Sequence, residues 1–189
     1  MGSYLNRLRA LPVVVSTSIT RPANTTTYAA GDVIANSAST PTAIVVANCV
    51  ALKGGYGRIS SAQLISSAAP ALPLQADVFL FSAVVGLDND NAAFTPTDAE
   101  MLTLVATLQF YDDHAPFDST GAAVASFKSP RYADGDASSN RVYFSQPLPN
   151  KIFKTADTTK NLWAVVVARN AYVPASGETF TLFIDIEQD

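Results

Sequence analysis

One cysteine and one histidine in 189 residues remove most of the usual catalytic and metal-binding frameworks. With Cys49 alone there is no intrachain disulfide, and its place in the apolar run of residues 43–50 points to a buried thiol behaving as a small hydrophobe. With His114 alone, a Ser-His-Asp triad would have to use that residue as its base. No Gly-x-Ser-x-Gly elbow accompanies it, and Asp112 and Asp113 beside it describe a loop histidine next to two carboxylates. Charge is also scarce. Charged residues make up 15% and the net charge is −4, whereas nucleic-acid-binding domains gather an excess of Lys and Arg on one face. Apolar runs long enough for a spanning helix are missing, and residues 1–12 lack the apolar core and small-residue cleavage site of a signal peptide. The expectation is a soluble protein with neither nucleic acid nor membrane as a partner.

What is present is apolar material in alternation. A 48% hydrophobic content with so little charge lies far from the disordered corner of composition space, and the length suits one domain. Residues 179–187 put Phe180, Leu182, Ile184 and Ile186 on one face and mainly polar groups on the other, the pattern of a half-buried strand. Further strands are predicted over 13–20, 28–35, 42–52, 57–67, 76–85, 102–110, 122–128, 141–145, 151–154 and 162–173. Turn chemistry separates them at Gly31-Asp32, Gly54-Gly55, Asp134-Gly135, Pro147 to Asn150 and Pro174 to Gly177. One helical signal interrupts the pattern, a capping box of Thr97 with Glu100, predicting one or two turns. The fold class expected is all-β: an antiparallel sandwich, jelly-roll-like, with about ten strands by this pattern count and at most one or two short helices. Its inner faces should include Val15, Ile19, Phe79, Phe81, Leu104, Leu108, Phe144, Val166, Leu182 and Ile184.

Candidate chemistry fails at one partner each time. Asp88-Asn89-Asp90-Asn91 resembles the opening of a calcium loop, but the sixth and twelfth positions fall on Ala93 and Ala99 where an EF-hand needs glycine and an acid. It reads better as an Asx-rich turn. Residues 54–57 lack the Lys-Ser/Thr that completes a P-loop and read as a tight hairpin connection. The aromatics fall mostly inside strands, so core packing outranks a sugar-stacking platform. No catalytic centre, metal or cofactor is expected. Residues 1–12 stand apart as an arm before a domain of residues 13–189, carrying Tyr4, Leu5, Leu8 and Leu11 with Arg7 and Arg9, a composition suited to docking on another protein. Basic residues lead the chain, while Glu178, Asp185, Glu187 and Asp189 close it, so the two ends are candidates for pairing within or between subunits.

Three stretches resemble virion proteins of tailed phages that serve as head decoration or cement proteins: residues 20–34 (TRPANTTTYAAGDVI), Gly57-Arg58-Ile59, and residues 87–98 (LDNDNAAFTPTD). The resemblance spans roughly the first two thirds of the chain. It implies a non-enzymatic subunit that binds and stabilises an assembled head shell, with the major capsid protein and other copies of itself as partners, a place in the virion, and assembly in the host cytoplasm. The alternative is a tail- or fibre-associated module that binds a host-surface glycan, which a concave ring of exposed aromatics would favour.

Overall fold

The computed structural model describes residues 11–68, 74–110, 141–144 and 151–189. In chain order these form β1 (Leu11–Thr20), β2 (Val33–Ile34), β3 (Ile44–Val46), β4 (Tyr56–Ser66), β5 (Ala76–Phe81), the one-turn helix α1 (Asp98–Met101), β6 (Leu104–Phe110), β7 (Arg141–Phe144), β8 (Lys151–Lys154), β9 (Leu162–Ala168) and β10 (Thr179–Gln188). All strand pairs are antiparallel and make two five-stranded sheets. Sheet one runs β1-β10-β4, with β7 and β8 sharing the far side of β4; sheet two runs β9-β5-β6, with β2 and β3 sharing the other side of β9. If each sharing pair is counted as one interrupted strand, the chain visits the positions 1-8-3-6 in one sheet and 2-7-4-5 in the other. That order is the double Greek key of a jelly roll, and the fold expected from the alternation is the fold observed.

The two sheets solve burial differently. β10 alternates strictly, with Phe180, Leu182, Ile184 and Ile186 in the core between the sheets and Thr181, Phe183 and Asp185 on the outer face. β9 does not alternate: of Leu162 to Ala168 only Trp163 is partly exposed. Its second face is covered by residues 82–97, which cross the outside of sheet two and set Val85, Leu87 and Phe94 against Val33, Phe79, Phe81, Val165 and Val167. Phe94 meets Phe79 at 5.4 Å between ring centres and Phe81 edge-on at 6.5 Å. A strand covered on both faces has no reason to carry polar residues at every second position.

Several expected details change. Phe79, Phe81 and Leu104 belong to this outer layer and not to the space between the sheets, whereas Val15, Ile19, Leu108, Val166, Leu182 and Ile184 do fill the inner core. The strand predicted over 28–35 shrinks to β2, with Tyr28 making one isolated bridge to Tyr172, because the turn at Gly31 (φ +102°) breaks the ladder. The strand predicted over 42–52 ends at Val46, and those over 76–85 and 162–173 end at Phe81 and Ala168. Gly54 and Gly55 do not connect a hairpin: they lie where the chain passes from β3 in sheet two to β4 in sheet one, and Gly57 is already in β4. A Cβ on Gly57 would sit 2.6 Å from the Phe153 ring, which explains glycine there. β1 starts two residues earlier than expected, so Leu11 and Pro12 pair with Gln188 and Glu187 instead of belonging to an arm. The stretch 122–128 and the side chain of Phe144 lie outside the description.

Candidate binding surface

The register defines two ends of the sandwich. At the entry end β1, β4 and β9 begin while β3, β5, β8 and β10 finish, and the loops there tie the sheets together: Gln188 Nε2 donates to the Asn48 carbonyl at 2.7 Å, and Cys49 N–H to the Lys160 carbonyl at 2.8 Å. Eight of the nine large apolar side chains exposed among the described residues belong to this end, namely Val14, Val45, Leu52, Tyr56, Val84, Met101, Leu102 and Ile152; only Val173 belongs to the other. Two groups stand out. Tyr56 and Ile152 are diagonal neighbours on the outer face of sheet one, since Tyr56 pairs with Lys154 and Ile152 with Arg58. Val84, Met101 and Leu102 form a knob, with Leu102 88% exposed.

The knob is held rigidly by local chemistry. Thr97 caps α1, its Oγ1 accepting from Glu100 N–H at 3.2 Å while Glu100 Oε2 accepts from Thr97 N–H at 2.8 Å, so the predicted capping box forms in full. The other Glu100 oxygen reaches out of the helix to Gly86 N–H at 2.7 Å, and Ser82 N–H donates to the Thr103 carbonyl at 2.8 Å, so the loop bearing Val84 is fastened at both ends beside Leu102. These backbone donors hold the Glu100 carboxyl below the ordinary glutamate range. No Lys or Arg occurs between residues 59 and 127, and the charged residues of α1 itself are Asp98 and Glu100.

The opposite end is closed by buried polar groups. Asp90, read in the sequence as part of a turn, is buried and paired with the fully buried Arg21 guanidinium at 3.2 Å. Its other oxygen accepts from Tyr28 Oη and from Ala35 N–H, the latter at 3.0 Å, and the guanidinium lies 4.6 Å from the Tyr28 ring centre and donates from Nε to the same hydroxyl. Burial, and then the bond to Asp90, push the Tyr28 hydroxyl far above its usual pKa. Tyr28 stacks on Tyr172, whose hydroxyl donates to buried Glu178 at 2.6 Å; Ser66 Oγ donates to the same carboxylate oxygen, and Ala175 N–H to the other at 3.0 Å. Backbone bonds reinforce the join between the stretches 20–34 and 87–98: Val33 N–H to Ala92 O at 2.8 Å, Asn91 N–H to Val33 O at 2.9 Å and Phe94 N–H to Gly31 O at 3.0 Å. Two segments that looked independent in the sequence are thus one structural unit. The only hint was Arg21, the single charged residue between positions 10 and 31.

Of the residues singled out from sequence, Tyr4, Leu5, Arg7, Leu8 and Arg9 lie outside the described residues, as do Asp112, Asp113, His114, Asp134 and Asp136. Leu11 is in β1. Asp88 and Asp90 do not share a site, because both Asp88 oxygens accept from Thr95, at 2.8 and 3.1 Å, while Asp90 is committed to Arg21, Tyr28 and Ala35. Among the described residues there is no group of three or more His, Cys, Asp or Glu placed to hold a metal ion. Cys49 is buried, its Sγ 3.2 Å from the Val46 carbonyl, and burial pushes its thiol up to about 12. Near the C-terminus Glu187 pairs with Arg58 and Asp185 accepts from Ser61; Arg7 and Arg9, expected as partners for this end, lie outside the described residues. Neither protein-family models nor curated proteins, compared with this chain, match it.

Proposed function

We propose that this chain is a decoration or cement protein of a tailed-phage head, which docks on capsid subunits through its entry end and bridges them. The observation that carries this reading is the segregation of exposed apolar side chains to the end at which residues 1–10 join β1. Scattered single hydrophobes are ordinary on a surface, whereas apolar side chains gathered at one end and rimmed by polar groups mark a site of protein contact. The segment that precedes β1 contains Tyr4, Leu5 and Leu8 with Arg7 and Arg9, a composition that offers apolar groups and positive charge to a partner. Jelly rolls recur in capsid and lectin domains alike, so the fold alone decides nothing. The glycan-binding alternative draws less support, because among the described residues Tyr56 is the one aromatic in the set of large exposed apolar side chains.

In this reading the partners are the major capsid protein and further copies of the chain, with no turnover of substrate. Each contact is weak and its repetition over a shell provides the strength, since a ligand that binds only the assembled state stabilises it by mass action. The test is to locate the protein in purified particles by cryo-electron microscopy and to compare heat release of DNA from shells with and without it. Density across capsid-subunit junctions and a higher release temperature are expected, and deletion of residues 1–10 should weaken attachment while leaving the fold intact, because β1 begins at Leu11. Density at the tail tip, or an unchanged release temperature, would favour the host-binding alternative.

A further inference from the structure

β1 is an open edge of sheet one: β10 pairs with one side of it and, among the described residues, nothing pairs with the other. It is ten residues long, carries no charged side chain, and keeps one unbroken register from Leu11 opposite Gln188 to Thr20 opposite Thr179. Sheet edges are usually blunted by charge, shortness, bulges or a covering segment. Other edges of this molecule show those devices. β8 begins and ends in lysine, β3 has three residues, and β2 is covered through the bond from Val33 N–H to Ala92 O. β6 leads into residues outside the description. Among the described residues β1 has no such protection.

The ladder tells which of its groups are open. Arg21 N–H donates to the Glu178 carbonyl at 2.9 Å, continuing the β1–β10 register by one pair. The N–H and C=O of a strand residue point the same way and alternate along the chain, so odd-numbered residues of β1 serve β10 and even-numbered ones face outward. Pro12 is even-numbered and its missing N–H takes nothing from the sheet. Val14, Ser16, Ser18 and Thr20 therefore present N–H groups to the open side. The open flank also leaves Val13 and Thr17, on the core-facing side of β1, only half-buried.

We propose that a second copy of this chain occupies that edge, its β1 pairing antiparallel with this one about a two-fold axis at Ser16, so that two copies of sheet one become a continuous sheet. The inference goes beyond the attachment reading: antiparallel pairing sends the two entry ends to opposite poles, so it names a contact between copies that is separate from the shell contact. The strand is self-complementary in that register: Ser16 faces its own copy, Val14 faces Ser18 and Pro12 faces Thr20, so all four outward N–H groups meet carbonyls. On the core side Val13 meets Ile19 and Val15 meets Thr17, joining apolar face to apolar face. A one-residue shift would set core faces against outer faces, and a two-residue shift would carry one end of the strand past its partner. Neutrality is what allows identical strands to face each other without like-charge repulsion.

Sedimentation of the full-length protein, without shells, tests this. Wild type should be a dimer. Ser16→Lys, at an exposed position, should raise the dimer dissociation constant about fivefold by opposing two like charges, and Ser16→Glu should do the same. An equimolar mixture of the two variants should regain at least wild-type affinity, because only this register sets residue 16 against itself. A monomeric wild type, a dimer indifferent to Ser16→Lys, or a mixture that fails to recover would overturn the proposal. So would a monomer that dimerises only after residues 1–10 are deleted, which would mean that the chain's own arm covers the edge. Shell binding is measured separately, so either idea can fail while the other stands.

Discussion

At one end of the sandwich Arg21 and Asp90 are buried as an ion pair and Glu178 is buried and hydrogen-bonded; at the other, Leu102, Leu52 and Ile152 stand in solvent. Each departs from the rule that polar groups lie outside and apolar groups inside, and they depart in opposite senses. A buried charged group is tolerable only with complete pairing, so the closed end locks its segments into one arrangement. Exposed apolar area is tolerable when something covers it, so the entry end calls for a partner. Placing the two at opposite ends separates what holds the fold from what attaches it, and substitutions should reveal that division.

The largest effect is expected at the closed end. Asp90→Ala leaves the Arg21 guanidinium buried and unpaired and should cost about 3–5 kcal/mol, read as a lower urea midpoint with unchanged slope. Replacing both partners by apolar residues, Arg21→Met with Asp90→Leu, should recover much of that loss. A cost under about 1 kcal/mol for Asp90→Ala would show that the cluster does not lock this end, within the typical range for single substitutions.

At the entry end the pattern reverses. Leu102→Lys should change stability by no more than about 0.5 kcal/mol, as usual for surface positions, yet weaken attachment to shells about tenfold, roughly 1.4 kcal/mol. Val173→Lys, at the far end and 54% exposed, should leave attachment unchanged. Equal binding by the two variants, measured by co-sedimentation with shells, would erase the distinction between the ends.

The smallest effect concerns how the knob is held. Thr97→Ala removes the helix cap and should cost about 1 kcal/mol. Glu100 has a folded pKa below its unfolded value of about 4.3. Its contribution is therefore fully present above that value and lost as pH falls through the folded one. Urea unfolding at neutral and acidic pH should show a steeper acid loss in wild type than in Glu100→Gln.

Short-range chemistry was legible without coordinates. The capping box at Thr97 and Glu100, the half-buried β10 and the buried Cys49 depend on neighbours a few residues away, or on a period of two that one buried face imposes. The all-β sandwich followed from the same pattern. β9 was found as a strand, but its lack of alternation had no cause visible in the chain, because the cover over its second face comes from residues 82–97.

The sequence by itself determined that this chain is an all-β sandwich with one helical turn, since alternation, turn residues and caps act locally and leave their marks in residue order. Only the tertiary structure decided which strands neighbour which, that Asp90 is the buried partner of Arg21 across 69 positions, and that eight of the nine large exposed apolar residues described share one end. Those facts depend on where the Greek-key crossings bring distant segments together. A single sequence carries no local signal for the meeting of two residues far apart in the chain, because burial and charge pairing are properties of the assembled neighbourhood and not of either residue alone.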